Sequence, residues 1–407
     1  MLNSTVFLLS INFNKCDSDS SMFVRHTHTH TIILLVYVDD IIITGNDNQE
    51  IENVKQHLKK EFDIKDLSQL SYFLGIEIAK SSKGLFLSQR KYTLDLLKET
   101  GKIGAKPALT PMETKTKLNL EDGDPLTNIG HYQRLVGKLI YLTVTRPDIS
   151  FAVSVISQFM HAPRTSHLEA IDRILSYLKG TPGQGIWMKK NNSTNAVGFS
   201  DADWARSCDR KSTTGFCIFI GGNLVTWKSK KQSVVTRSSA EAEYHMMTST
   251  ASELIWVKQV LKDMKVETME PMKMFCDNQA ARHIASNPVF HEKTKHIEVD
   301  CHFIREKVQK REIETPYIKS QDQLADIFTK GLDKQNHQSI LSKMGSINLY
   351  EPSLRGSVKE SRMKDMEGMV SETAHCAGFS SLTKGEREQQ PFLQSRKGYF
   401  YLTLLRK

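Results

Sequence analysis

Residues 34–43 read LLVYVDDIII, with the adjacent acids Asp39 and Asp40 between two apolar runs. Apolar, β-branched runs on both sides of a short polar pair predict a buried hairpin over residues 32–44. Two like charges at the tip of such a hairpin cost free energy, and a divalent cation that binds carboxylate and phosphate oxygens is the usual compensation. The alternative is an ordinary Asp-Asp β-turn, which these residues alone leave open.

The composition is that of a soluble chain with a basic excess. Hydrophobic residues make up 39% of the 407 residues, and 55 Lys and Arg against 46 Asp and Glu give a net charge of +9. This excess suits a nucleic-acid partner without proving one. The six cysteines have no metal or disulfide spacing, no apolar run reaches the roughly 18 residues that cross a bilayer, and no signal peptide is evident. We expect an intracellular protein, cytoplasmic or nuclear, with no membrane partner and no small-molecule cofactor.

Hydrophobic periodicity predicts a first mixed region and then a helical module. The hairpin is followed by a helix at 48–62, capped by Asn46 or Asp47, and by a second hairpin over 70–78 and 84–88. Helical spacing then predicts four helices, at 92–100, 132–145, 149–160 and 168–179.

Strands and helices alternate in the third region, which points to an α/β layer architecture. The predicted elements are strands at 196–200, 215–220 and 223–228, a long helix from Ser239 to about Met264, a strand at 272–276 and a helix at 278–286. The Gly221-Gly222 pair predicts a hairpin turn. Residues 351–397 are polar and aperiodic, so we expect disorder there.

Four acidic residues of the third region stand where such a sheet would gather them. Asp201 and Asp277 each end an apolar strand, and Glu243 and Asp326 lie in predicted helices. Four oxygen ligands suit two Mg²⁺ ions about 3.5–4 Å apart, one activating water and one stabilising the leaving oxygen of a phosphodiester. Each acid also has a simpler reading: a helix-dipole partner, as for Glu241, or a helix cap, as for Asp277 and the residue after it.

Seven sequence blocks resemble the ribonuclease H domain of copia-type LTR retrotransposon Pol polyproteins. In chain order they are DADWA, RKSTTGFC, WKSKKQ, SSAEAEY, CDNQAA, KHIEVDCHFIRE and QLADIFTKGL. The resemblance implies a catalytic, metal-binding set made of Asp201, Glu243, Asp277 and Asp326. It leaves Asp203 and Glu241 as non-ligands.

The upstream sequence resembles other parts of the same Pol. YVDD, YFLGIEI and GLFLSQRKYTLDLL resemble the end of the palm and the thumb, and residues 132–160 resemble the connection. The implied fold class is α/β and α+β: a truncated reverse-transcriptase palm and thumb, a helical connection, then a ribonuclease H-like mixed sheet flanked by helices. The corresponding segments are 1–112, 113–190, 191–335, and 336–407 for the family C-terminal end and a disordered tail.

The polymerase site that this resemblance implies is incomplete. The family draws a third carboxylate from an earlier strand, whereas the acids before Asp39 are Asp17 and Asp19, in a polar turn. We therefore expect Asp39 and Asp40, metal ligands in the parent family, to be a vestigial half-site. RNA-directed DNA polymerase activity would be lost in this chain.

The nuclease set, by contrast, retains all four acids. The resulting hypothesis is an endonuclease that uses Mg²⁺, or Mn²⁺, to cut the RNA strand of RNA–DNA hybrids. Asn278 and Gln279 are candidate minor-groove contacts that sense the 2′-OH. Candidate phosphate contacts, which could equally be a solvated face, are Lys228, Lys230, Lys231 and Arg237. The alternative function is an inactive retrotransposon relic that only binds nucleic acid.

Overall fold

The structure, a computed structural model, describes residues 2–37, 40–205, 207, 209–266, 270–286 and 298–349, together with the backbone of 375–379. Its helices are α1 (Leu2–Ser10), α2 (Asn48–Glu61), α3 (Arg90–Glu99), α4 (Ile129–Leu142), α5 (Ser150–Ile156), α6 (Thr165–Gly180), α7 (Ser239–Asp263), α8 (Gln279–Ser286), α9 (Glu298–Gln309) and α10 (Lys334–Lys343). None of the helices within these ranges is long and apolar enough to cross a membrane.

The strands form three sheets, in which the β-branched and aromatic residues of the sequence fill the buried faces. The first contains β1 (Asn14–Lys15), β2 (Met22–His26), β3 (Thr31–Tyr37), β4 (Asp40–Gly45), β5 (Ile64–Gln69) and β16 (His375–Phe379). The second contains β6 (Tyr72–Phe73), β7 (Ile76–Ser81), β8 (Gly84–Ser88), β9 (Gln184–Lys189) and β15 (Ser346–Asn348). The third contains β10 (Ala196–Asp203), β11 (Thr213–Ile220), β12 (Asn223–Lys231), β13 (Met272–Phe275) and β14 (Ile313–Glu314).

The predicted hairpin over residues 32–44 is confirmed. Strands β3 and β4 pair antiparallel, with Tyr37 opposite Asp40, so the turn falls on residues 38–39, which lie outside the described residues. The predicted cap of α2 is also confirmed, because the Asp47 side chain accepts hydrogen bonds from the backbone N–H groups of Gln49 and Glu50.

The second sheet joins segments that are far apart in the chain. Strand β8 pairs with β7 on one side and with β9 on the other, and β9 pairs in turn with β15. One sheet therefore crosses three of the four segments that the sequence predicts, and they do not form separate sheets.

The predicted helical module is present as α4, α5 and α6, which share a buried apolar core that includes Val136, Ile156 and Ile174. The Arg146-Pro147-Asp148 break between the first two helices begins a 3₁₀ turn at Pro147–Ile149. This turn carries a buried ion pair, since Arg146 Nη2 lies 2.7 Å from Asp148 Oδ2. Both side chains are inaccessible to solvent, so the pair belongs to the core of the module.

The third sheet has the mixed topology that the sequence predicts, in the order β12-β11-β10-β13-β14. Strand β11 is antiparallel to both of its neighbours, β10 and β12, whereas β13 runs parallel to both β10 and β14. Both glycines of the predicted turn have positive φ, 55° for Gly221 and 77° for Gly222. The long helix α7 packs against β10 through apolar residues such as Leu254.

One expectation for the C-terminal region is wrong at five residues. We expected disorder throughout 351–397, but residues 375–379 form β16, which lies between β4 and β5. The interstrand hydrogen bonds of this strand override the polar composition around it. The remainder of 351–397 lies outside the described residues.

Candidate active site

Two aspartates meet at the carboxyl ends of adjacent parallel strands. Strand β10 pairs with β13 so that Phe199 stands beside Phe275, and two residues further along each chain lie Asp201 and Asp277. The two phenylalanine rings are stacked, with centroids 5.1 Å apart, which helps to fix this register. The register therefore brings together two acids that are 76 positions apart in the sequence, as the sequence predicts.

Glu243 reaches the same place from helix α7. Ser238 caps this helix by accepting a hydrogen bond from the backbone N–H of Glu241. Glu243 is only 5% exposed, and ligand atoms of Glu243, Cys276 and Asp277 all lie within 4.8 Å of one another. The first turns of α7 thus carry a carboxylate to the ends of β10 and β13.

Asp326 completes the group from the 3₁₀ turn Leu324–Phe328. Lys330 Nζ lies 2.9 Å from Asp326 Oδ1 and 3.9 Å from Asp201 Oδ2, so one ammonium group faces two of the acids. The structure brings together all four acids that the sequence predicts for the metal site.

Neutral hydroxyl and amide groups hold the acids in position. Thr329 Oγ1 donates a hydrogen bond to Asp201 Oδ2, and Ser320 Oγ donates one of 2.7 Å to Asp277 Oδ2. The buried Gln323 side chain donates from Nε2 to the backbone oxygen of Ser200, at 2.9 Å. The segment that carries Asp326 is in this way fastened to β10, next to the first aspartate.

Burial and mutual repulsion raise the pKa values of Glu243, Asp201 and Asp326. Burial raises the pKa of Glu243 well above its usual range, and the charges of Asp201 and Asp277 add to this effect. Burial also raises the pKa of Asp201, although Lys330 and Thr329 oppose the rise. The pKa of Asp326 is raised to about 7 by burial and by the charge of Asp201. The cations in the described part of the chain do not fully compensate the negative charge of this cluster. Carboxyls with strongly raised pKa values are frequent at functional sites.

The other predicted contacts divide into exposed residues and residues with a structural partner. Lys230, Arg237 and Gln279 are exposed. Lys231 is paired with Asp209, 2.9 Å away, and Lys228 is half-buried. Asn278 caps α8, because its Oδ1 accepts a 3.0 Å hydrogen bond from the backbone N–H of Ala281. The simpler reading of Asn278 as a cap is confirmed, and a minor-groove role stays a prediction.

Two acids were set aside as non-ligands, and one has a clear structural role. Glu241 accepts a 2.8 Å hydrogen bond at Oε2 from the backbone N–H of Arg237, which ties down the loop before α7. Asp203 ends strand β10, opposite Thr213 of β11.

The predicted polymerase acids lie in a different sheet from this cluster. Asp40 is half-buried at the start of β4, and Asp39 lies outside the described residues. Strand β2, which pairs with β3 of the same hairpin, reads MFVRH and carries no acid. Asp19 accepts hydrogen bonds from the backbone and side chain of Ser21, so it lies in the polar turn that the sequence predicts.

Sequence reasoning missed the groups that support the acids. These are Cys276, Ser320, Gln323, Thr329 and Lys330. For Lys330 a signal was present, since it follows Asp326 by four residues, a spacing at which opposite charges meet on a helix. For Ser320, Gln323 and Thr329 the partner lies too far away in the sequence to be identified from it.

Comparisons with known proteins identify the family to which the chain belongs. Residues 2–114 match the family described as reverse transcriptase (RNA-dependent DNA polymerase). The retrovirus-related Pol polyproteins from transposons RE1 and RE2 of Arabidopsis thaliana are 46% and 43% identical, over 83% and 87% of this chain. A putative transposon Ty5-1 protein of Saccharomyces cerevisiae is 33% identical, and the match covers 83% of its length. The chain therefore belongs to the retrovirus-related Pol polyproteins of copia-type transposons, and it carries their reverse transcriptase domain.

The match covers only part of the longer relatives. The chain spans 23% of the length of the RE1 polyprotein and 24% of that of RE2. Among solved structures, LC11-RNase H1 in complex with RNA/DNA hybrid is 17% identical with a TM-score of 0.27, over 33% of this chain and 94% of that one. The foamy viral protease-reverse transcriptase in complex with RNA/DNA hybrid is 12% identical with a TM-score of 0.39, over 70% of this chain and 36% of that one.

Proposed function

We propose that this chain carries a divalent-metal-dependent nuclease that cuts the RNA strand of RNA–DNA hybrids. The observation that carries the proposal is the convergence of four carboxylates, the buried Asp201 and Glu243 and the half-buried Asp277 and Asp326, from β10, α7, the end of β13 and the Leu324–Phe328 turn. Like charges gathered out of water are unfavourable unless a cation joins them. Membership of the Pol family makes a nucleic-acid phosphodiester the expected substrate.

The donor set fits a hard cation. Carboxylate oxygens are the ligands that Mg²⁺ and Mn²⁺ prefer, and burial together with the neighbouring carboxylates raises the pKa values of Glu243 and Asp201. The residues that would hold the metal are Asp201, Glu243, Asp277 and Asp326. When bound, Mg²⁺ supplies Lewis-acid polarisation of a phosphodiester and lowers the pKa of water at the site.

The remaining contacts orient the acids. Thr329 fixes one oxygen of Asp201, and Ser320 fixes one oxygen of Asp277, so each carboxylate keeps its other oxygen for a ligand. Lys330 places a positive charge beside Asp326 and Asp201, where it would also attract a phosphate oxygen. We assign these three residues to positioning the carboxylates.

Hybrid recognition would come from the chain's own surface beside the acids. The phosphates would be contacted by three lysines of strand β12, Lys228, Lys230 and Lys231, and by the exposed Arg237 in the loop after it. These contacts would make binding salt-dependent. Exposed Gln279, beside the capping residue Asn278, would reach the minor groove. There the 2′-OH distinguishes RNA from DNA.

A matched pair of variants on helix α7 tests the proposal. We expect Glu243→Gln to reduce Mg²⁺-dependent cleavage of a labelled RNA–DNA hybrid by at least about a thousandfold, because loss of an ion's ligand removes several kcal/mol of transition-state stabilisation. Glu241→Gln should keep cleavage within about threefold, since glutamine also accepts the backbone hydrogen bond that Glu241 makes. Hybrid affinity, measured in Ca²⁺ with the full chain, should change little in either variant.

Absence of cleavage by the wild-type chain in both Mg²⁺ and Mn²⁺ would contradict the proposal. Retained hybrid binding would then favour the alternative, an inactive relic that only binds nucleic acid. Cleavage by the Glu243→Gln variant at the wild-type rate would show that the acidic cluster does not carry out the reaction.

We further propose that this chain does not synthesise DNA by itself. Strand β2, beside the YVDD hairpin, carries no acid, so it offers no carboxylate to pair with Asp40. Primer extension on an RNA template by the purified chain would contradict this part of the proposal.

A further inference from the structure

An exposed apolar ledge lies beside the acidic cluster. It consists of Trp204, which is 46% exposed, and of Val234 and Val235, which are each 53% exposed. Large apolar side chains that stand in solvent together mark a binding surface more often than a fold requirement. Nothing in the proposed cleavage chemistry uses these three residues.

Hydrogen bonds join Trp204 to the loop that carries the two valines. The Trp204 indole donates from Nε1 to the backbone oxygen of Thr236, at 3.2 Å. Ser212 bonds to the Thr236 hydroxyl, also at 3.2 Å, and accepts from the backbone N–H of Ala205. The loop that carries both valines is thereby joined to the end of β10, and the indole keeps part of its surface in water.

The same loop is tied to the helix that carries Glu243. The Gln232 side chain donates to the backbone oxygen of Ala242, at 3.1 Å, and the backbone N–H of Arg237 donates to Glu241. The ledge is therefore fixed relative to two of the four acids, Asp201 through β10 and Glu243 through α7. A ligand that lies on the ledge would have a defined position relative to the acidic cluster.

The surroundings of the ledge favour a polyphosphate partner over an apolar protein surface. Residues 204–238 contain seven Lys and Arg and one acid, Asp209. Arg237 directly follows Thr236, and Lys230 and Arg210 are also exposed. An aromatic ring flanked by cations is the arrangement that binds a nucleotide, because the ring packs on sugar and base while the cations meet phosphates.

Trp204 follows the end of the strand that carries Asp201. Strand β10 ends at Asp203, and Trp204 lies in the turn after it, three residues beyond Asp201. Three residues of backbone span at most about 11 Å, and successive nucleotides of one strand rise about 3.4 Å, so the backbone of Trp204 lies within about three nucleotide steps of Asp201.

We infer that Trp204, with Val234 and Val235, is a docking ledge for a nucleotide of the bound RNA–DNA hybrid, close to the cleaved phosphate. The inference rests on the proposed function for the identity of the duplex. It assigns Trp204 to binding and not to the chemical step, and packing on an indole face is tolerant of base sequence.

Two variants of Trp204 separate packing from folding. Trp204→Ala should raise the Kd for an RNA–DNA hybrid about tenfold in Ca²⁺, the effect typical of one lost aromatic contact. In Mg²⁺ it should raise KM while kcat stays within about twofold. Trp204→Phe keeps an aromatic face and should bind within about threefold of wild type. Leu120→Ala, at a residue that is 67% exposed in the predicted connection, controls for loss of exposed apolar surface.

Tryptophan fluorescence gives a readout that a purely structural role would not change. The chain has four tryptophans, and the hybrid should quench emission from Trp204. Trp204→Phe should abolish most of this quenching. Trp256→Phe should preserve it, because the Trp256 indole is bonded to Ser18 away from the ledge.

Failure of the ledge inference and failure of the nuclease proposal would give different experimental results. Unchanged Kd in Trp204→Ala, quenching that persists in Trp204→Phe, or failure of the wild-type chain to bind the hybrid would each overturn the ledge. Should Trp204→Ala not fold, the fluorescence of Trp204→Phe still decides. Wild-type binding with Trp204-dependent quenching but without cleavage would support the ledge and contradict the nuclease.

Discussion

Two buried aspartates of this chain have opposite electrostatic surroundings. Asp148, in the helical module, has a side chain that is 0% exposed, and Asp201, in the acidic cluster, has one that is 6% exposed. Burial alone would raise both pKa values. The guanidinium of Arg146 and the hydroxyl of Tyr177 instead hold the pKa of Asp148 below its usual range, whereas that of Asp201 stays raised.

The difference lies in where the compensating charge comes from. Asp148 receives hydrogen bonds from Nε and Nη2 of Arg146 and from the Tyr177 hydroxyl, so its partners are part of the fold. Asp201 shares Lys330 with Asp326 and is repelled by Asp277. A buried acid that finds its full counter-charge within the chain stabilises structure. One that does not is a candidate to bind a cation.

Replacing each aspartate by asparagine should give the largest difference between the two sites in the free energy of unfolding. Asp148→Asn should lower the free energy of unfolding by about 3–5 kcal/mol, because it leaves the Arg146 guanidinium buried without its anion. Asp201→Asn, the same chemical change at a similarly buried position, should leave the metal-free chain equally stable or more stable, because it removes like-charge repulsion. Urea unfolding in EDTA measures both.

The comparison fails if the two variants lose similar stability. An equal loss would mean that Asp201 is as well compensated by Lys330 and Thr329 as Asp148 is by its partners. Tyr177→Phe, which removes one hydrogen bond to Asp148 and leaves the ion pair, should cost only about 1 kcal/mol and calibrates the scale.

The pH dependence of stability should have opposite signs at the two sites. The pKa of Asp326 rises to about 7 on folding, so the folded chain holds a proton that the unfolded chain releases above about pH 4. In EDTA, unfolding free energy should therefore fall as pH rises from about 4 to 7, by at most about 1.4 kcal/mol per pH unit for each such group. The lowered pKa of Asp148 gives stability that is present above about pH 4 and lost below it.

Asp326→Asn isolates the contribution of the acidic cluster to this profile. The variant should show a flatter decline between pH 5 and 7 than the wild-type chain, while the loss of stability at acidic pH stays. A decline of unchanged slope would show that other groups cause it.

Local patterns made much of the fold and part of the site predictable. The alternation of apolar residues identified the hairpin at 32–44, and strand ends identified Asp201 and Asp277, because a side chain at the end of a buried strand has a position set by the sheet. The sequence also predicts helix α7 from Ser239 to about Met264, and the structure has it at Ser239–Asp263. The roles given to Glu243 and Asp326 also drew on the family resemblance.

The rest depended on contacts between distant segments. Thr329 bonds to Asp201 across 128 positions, and β9 pairs with both β8 and β15, which no local pattern encodes. The Arg146–Asp148 pair was missed for another reason: Arg-Pro-Asp is typical of an exposed break between helices, and only the packing of α6 and α10 around it makes it buried. Helix α1 was also missed, since Leu2–Ser10 has weak amphipathic spacing.

The central claim is that the four acids share bound cations, and calorimetric titration of the full wild-type chain with Mn²⁺ tests it most directly. We predict binding of two ions per chain, with affinity reduced at least about tenfold in Asp201→Asn and unchanged in Glu241→Gln. Absence of Mn²⁺ binding by the wild-type chain, or equal binding by the Asp201→Asn variant, would contradict the claim.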